Sequence, residues 1–283
     1  MNRIKKAYET IKASNTLRAQ IETTIRRERR KRRALRGCAG TAACLLILCV
    51  AGVNLSPAMA QAVAAVPGLD GVVRVLTFGR YQSSDGGYEA DITTPKIEGL
   101  LDPELEARLN EQFQENANAV IAAFEKDVKE LKAQFGDETV HMGVDSGYMV
   151  KTDNDDILAL DVYILYTAGS SSTKHTFYTI DKKTGTLLTL PGLFRDGADY
   201  VTPISAYIRS EMERLNRDEG GMFFLDGENT VFDGFTQIRP DQNFYINNDG
   251  NLVIAFDKYE VAAGAQGSPE FVIPDEVIGA IRK

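Results

Sequence analysis

Gly37-Cys38-Ala39-Gly40-Thr41-Ala42-Ala43-Cys44-Leu45-Leu46-Ile47-Leu48-Cys49-Val50-Ala51-Gly52-Val53 orders the rest of this 283-residue chain. A hydrocarbon core about 30 Å thick needs roughly 20 apolar residues in a helix. Carried on to Leu55, the run reaches about that length with Thr41 and Asn54 as its polar members. The two sides of it differ in charge. Residues 1–36 hold 13 Lys and Arg against 3 Glu, a net of +10, whereas the remainder holds 19 against 37 Asp and Glu, a net of −18. Lys and Arg beside a span stay in the cytoplasm. The sequence therefore predicts a single-pass cell-membrane protein. Residues 1–36 lie inside, 37–55 cross, and the acidic remainder lies outside.

The exterior excludes several function classes. An outer charge of −18 argues against nucleic acid or anionic lipid as its ligand and suits a basic partner. Cys38, Cys44 and Cys49 all fall within the apolar run, so the outer region has no cysteine to form a disulfide and relies on its core. Past the span, Pro57 ends a helix. Ala58-Met59-Ala60 then offers signal peptidase a small-x-small site, with the cut before Gln61. Three readings stay open: an ordinary secretory leader, an uncut anchor, or an anchor cut only on demand. Residues 62–78 are apolar but broken by Pro67, Gly68 and Gly71. They read as an amphipathic linker on the outer leaflet or as a first core helix, within a linker region 56–87.

On the inner side, Ile4, Tyr8 and Ile11 recur at helical spacing, as do Leu17, Ile21 and Ile25. Ser14-Asn15-Thr16 forms a capping cluster between them. Two helices this short cannot bury their stripes alone, so they fold on a partner protein or lie on anionic lipid.

The outer region reads as α+β, with helices packed on antiparallel sheets in two lobes, 88–186 and 187–283. Tyr88–Thr94 alternates and ends before Pro95. Asp102-Pro103 opens a long helix with Leu105, Leu109, Phe113, Val120, Phe124, Val128, Leu131 and Phe135 on one face, and Gly136 stops it. Strands follow at 139–151, 157–167 and 174–180, then a helix over about 200–217. A hairpin pairs 243–246 with 251–256 around Asn247-Asn248-Asp249-Gly250, read as a type I′ turn. A strand at 271–273 and a short helix at 275–281 close the chain. Signs of catalysis are thin. His141 and His175 stand in strands without a metal-ligand neighbour at i+2 or i+4, and Ser170–Thr173 reads as a flexible loop. The acidic turn Asp153/Asp155/Asp156 lacks the Gly and distal Glu of a calcium loop. No cofactor or metal is expected, and a binding module fits these residues better than an enzyme.

The tail then supplies a resemblance. Asn243-Phe244-Tyr245-Ile246-Asn247-Asn248-Asp249-Gly250-Asn251-Leu252-Val253-Ile254-Ala255-Phe256-Asp257-Lys258-Tyr259-Glu260-Val261-Ala262-Ala263-Gly264, followed by Ser268-Pro269-Glu270-Phe271-Val272-Ile273-Pro274, resembles the extracytoplasmic domain of sigma-V-type anti-sigma factors. The same domain occurs in some peptidoglycan deacetylases. Tyr88 to Leu109 is similar to the companion domain that precedes it, and the order of inner helices, span and Ala-x-Ala also matches. The resemblance implies a membrane-tethered anti-sigma factor whose inner helices hold an extracytoplasmic-function sigma factor. Its outer domain would bind lysozyme or a similar basic wall-active protein, within the tail by Tyr259 and Glu260 and also by Ser170–Thr173, with Ser171 at the centre. Binding would expose Ala58-Met59-Ala60 to signal peptidase, and a site-2 intramembrane protease would then cut inside 37–53. A wall-facing lysozyme inhibitor without signalling, and an accessory of a peptidoglycan-modifying enzyme, are the alternatives.

Overall fold

The computed structural model describes residues 73–135, 140–225 and 234–283, which belong to one compact body. The inner stripes from Ile4 to Ile25, the span 37–55 and Ala58, Ala60 and Gln61 lie outside the described residues, as does Gly136. Among the described residues no helix is long and apolar enough to cross a membrane.

Six strands build the larger sheet in chain order: β1 (Arg74–Asp85), β2 (Tyr88–Glu98), β3 (Met142–Asp153), β4 (Ile157–Ala168), β5 (Ser170–Asp181) and the short β6 (Thr186–Leu187). The expected linker or first core helix thus becomes a strand from Arg74 onward. Gly86 and Gly87, at φ 61° and 102°, turn β1 directly into β2, with Asp85 opposite Tyr88. Positive φ at both central residues is what a two-residue hairpin with right-handed strands requires. β2 also runs four residues past its expected end, through Pro95. Beyond Ile92 it has lost β3 as a neighbour, and a proline is tolerated along such a stretch.

Between β2 and β3 runs helix α1 (Pro103–Phe135), 33 residues and roughly 50 Å long. Asp102 Oδ1 accepts the N–H groups of Glu104 and Leu105 at 2.9 and 3.2 Å, which caps the helix ahead of Pro103. Asn110 bonds both the N–H and the carbonyl of Ile97 at 2.8 Å, fixing the helix against β2. Leu105, Leu109, Phe113, Ala117, Val120 and Phe124 are buried on the sheet. Val128 and Leu131 pack at its margin, but Phe135 is 39% exposed and leaves the expected stripe. Because the helix carries the chain back to its starting end, β2 and β3 pair in parallel. The sheet is mixed rather than antiparallel throughout.

The second lobe sets helix α2 (Val201–Asp218) on a three-stranded antiparallel sheet of β7 (Phe244–Ile246), β8 (Leu252–Ala255) and β9 (Glu270–Ile273), with α3 (Asp275–Ile278) at the end. Ile204, Ile208 and Met212 are wholly buried with Ile238, Leu252, Ile254 and Ile273. The β7–β8 turn differs from expectation. Gly250 has φ 81° while Asp249 is not in the left-handed region, and Gly250 N–H bonds Asn247 O at 3.0 Å. That is a type I turn followed by a left-handed glycine, as three-residue hairpin loops favour.

The two sheets meet face to face. Ala159, Tyr245 and Val253 form a buried cluster flanked by Ile157 and Phe177. Thr152 donates to Ile246 O at 2.7 Å, and Asn243 Nδ2 to His175 O at 2.8 Å. Phe113→Ala should lower the unfolding free energy by about 3–5 kcal/mol, as deletion of a buried aromatic ring does. Phe135→Ala should cost less, about 1 kcal/mol, when both variants are unfolded in urea, because its ring is already partly solvated.

Candidate functional site

Strand β5 does not begin after a serine loop: Ser170–Thr173 is its first third, hydrogen-bonded to β4 with Ser171 opposite Thr167. Period two then divides these residues. Ser171, Thr173, His175 and Phe177 are half-buried, whereas Ser170, Ser172 and Lys174 are exposed.

The turn Asp257–Glu260 is laid against this strand. Lys258 donates its N–H to Thr173 O at 3.3 Å and its ammonium to Ser171 Oγ at 2.7 Å. The Tyr259 hydroxyl lies 2.9 Å from Ser170 Oγ. Tyr259 is 39% exposed and has φ 71°, the described non-glycine residue in the left-handed region. Such backbone costs roughly 1–3 kcal/mol and collects at binding sites. Two contacts hold the ring there. Lys258 Nζ sits 5.2 Å from its centroid, and a Cβ on Gly264 would come within 2.5 Å of its atoms, so glycine gives the ring its seat. Ser171 and Tyr259, 88 positions apart, therefore flank one small surface.

Glu260 is placed differently. Its carboxylate pairs with Arg239, accepts from Gln242 at 3.2 Å and takes the Asp257 N–H at 2.8 Å. These contacts close the turn on itself, so Glu260 holds the loop that presents Tyr259. Beside the site, across the β1–β3 part of the same sheet, runs a groove of about 750 Å³ lined by Gln82, Glu89, Asp91, His141, Asp145 and Gly169. Asp91 is paired with Arg80, whose guanidinium holds the carboxyl below its ordinary value, and the groove keeps an acidic character. His141 lies just ahead of β3 rather than within it. Asp153 and Asp156 of the acidic turn are paired with Lys182 and Lys183.

One constellation escaped sequence reading. His175 Nδ1 lies 2.9 Å from the wholly buried carboxylate of Asp161, and its Nε2 lies 3.0 Å from Ser268 Oγ. These are the distances of a nucleophile–base–acid relay. Such a relay also needs a substrate cleft and N–H donors aimed at an oxyanion. Neither the groove lined as above nor a second one lined by Tyr207, Glu211, Phe223 and Val272 is lined by Ser268 or His175. What the three residues do join is β4, β5 and the chain ahead of β9. His175 N–H donates to Asp257 at 2.8 Å and so ties that junction to the Tyr259 turn. Ser268 stands 93 positions from His175, and no local motif marks the pair. Gly264→Ala should destabilise the domain by at least about 1 kcal/mol and by much less in a Tyr259→Ala background. A double-mutant cycle by thermal or urea unfolding reads that coupling.

Comparison with known proteins gives three findings. Residues 192–276 match the family described as "Protein of unknown function (DUF3298)". A member of that family from Bacteroides fragilis NCTC 9343, known from its crystal structure, superposes with a TM-score of 0.53. It is 13% identical, and the match covers 76% of this chain and 95% of that one, so the likeness is one of fold. The anti-sigma-V factor RsiV of Bacillus subtilis (strain 168) is 32% identical over 279 residues, covering 98% of this chain and 95% of its own. Identity at that level along nearly the whole length, basic N-terminal part and acidic α+β region together, places the chain in the RsiV family of anti-sigma factors.

Proposed function

We propose that this chain is a membrane-tethered anti-sigma factor that frees its sigma factor when the outer domain captures a ligand. One observation carries the reading: the relationship to an anti-sigma-V factor runs through 98% of the chain and so takes in most of residues 1–36 as well as the acidic region. The stripes Ile4/Tyr8/Ile11 and Leu17/Ile21/Ile25 hold an extracytoplasmic-function sigma factor, burying on it the apolar faces that two short helices cannot bury alone. The run 37–55 crosses the membrane with the basic residues inside.

The ligand is lysozyme or a similar basic wall protein. It docks on the surface shared by Ser171 and Tyr259, where an aromatic ring stands partly exposed and already ordered. The acidic groove beside that surface steers a cationic partner and sets its orientation. Capture favours an arrangement in which Ala58-Met59-Ala60 is open to signal peptidase, and a site-2 protease then cuts the span. The outer domain senses and does no chemistry of its own.

Full-length protein in membranes, followed by immunoblot after addition of lysozyme, tests the sequence of events. Ligand-dependent shortening is expected, and Ala60→Trp should abolish it. Tyr259→Ala should weaken capture at least about tenfold, the scale of an interfacial aromatic anchor. Shortening that proceeds equally without ligand would reject regulated release.

A further inference from the structure

The Asp161–His175–Ser268 junction sits directly beneath the Tyr259 turn, and its chemistry points to control of that turn. The Asp161 carboxylate is wholly buried, and among the described residues its hydrogen-bond partner is the His175 ring, which lies within 3.0 Å of both oxygens. An ionised carboxylate taken out of water is costly unless a cation meets it. The nearby cations are engaged elsewhere: Lys151 with Glu270 at 2.6 Å, Lys258 with Ser171, and Arg239 with Glu260. The imidazolium of His175 is thus the counter-charge at hand.

We propose that His175 is a protonation-dependent latch, which fastens the Asp257–Ser268 segment and its Tyr259 onto strand β5 in mild acid and loosens it as the pH rises. With both ring nitrogens protonated, Nδ1–H donates to Asp161 and Nε2–H to Ser268 Oγ, so the tail is clamped by charge as well as by hydrogen bonds. The neutral ring keeps Nδ1–H toward Asp161 and accepts from the Ser268 hydroxyl at Nε2, but it leaves a buried anion without a cation. The cheapest relief is to admit water by lifting the tail segment off β5.

The surroundings favour the charged ring. Asp161 faces it from β4, Asp257 from the turn and Glu270 from β9, while Tyr163 is its cross-strand partner and Tyr245 stacks on the adjoining Phe177 at 5.4 Å. Burial by itself lowers the pKa of His175, but the hydrogen bond and charge of Asp161, with Asp257 and Glu270, outweigh it, and the net direction is upward. A histidine raised in the folded state lends stability that is complete below its ordinary value of about 6.5 and lost as pH climbs through the raised one. Burial also pushes the Asp257 carboxyl up, with Glu260 adding to it, so this carboxylate gains nothing from higher pH either.

The consequence for ligand capture rests on the function proposed above; the latch itself does not, and the test uses no ligand. Hydrogen exchange of the full-length protein in detergent is measured at pH 6 and pH 8.5 and corrected for intrinsic chemistry. Residues 257–268 should be protected several-fold better at pH 6, with α1 unchanged between the two. His175→Gln, which keeps hydrogen-bonding capacity without charge, should show the weaker protection at both values. His141→Gln should behave as the parent. Dependence that persists in His175→Gln would assign the effect to the carboxylates and overturn the latch. So would flat protection in the parent protein, which decides the matter even if the variant does not fold. Ser268→Ala, which leaves the Asp161–His175 pair intact, should keep the pH dependence at lower overall protection.

Discussion

The seating of the small sheet on the β4–β5 half of the large one is the constraint from which the rest follows. It is built from few parts. Ala159 is small enough to let the Tyr245 side of β7 approach, and Phe177 stacks on Tyr245 at 5.4 Å with an interplanar angle of 9°. Thr152 and Thr179, each 1% exposed, satisfy backbone carbonyls of β7 that would otherwise be buried without a donor. Remove that seating and Ser171 and Tyr259 have no reason to be neighbours, because one belongs to each lobe.

The seating also explains why polar groups lie so deep. Asp161 points into the same interface as Phe177, its register partner on β5, and is matched by His175 two residues along. A purely apolar contact would hold the lobes by area alone. A fully hydrogen-bonded polar pair at the edge adds a geometric requirement that only one placement of the tail satisfies.

Parts of this were legible in the residues. Asp102-Pro103 and the spacing from Leu105 to Phe124 announce the capped helix, since both signals are local. The β7–β8 hairpin and the final strand were equally plain. Strand β1 is not legible in the residues because its run of Val and Leu continues an apolar segment, and the Asp85-Gly86-Gly87 turn signal lies a few residues past it. The parallel β2–β3 pairing was hidden because it depends on where a 33-residue helix returns the chain. The pairing of Glu260 with Arg239 was hidden because nothing in its neighbourhood of sequence marks a partner 21 positions away.

The order of the chain was fixed by the residues alone: a basic head, an apolar run and an acidic α+β region, because charge, hydropathy and capping act over a few residues and need no partner. Ser171 beside Tyr259, and Asp161 with His175 and Ser268, were decided by tertiary structure. These groups stand between 14 and 107 positions apart, and only the stacking of two sheets makes their contact cheaper than separate hydration.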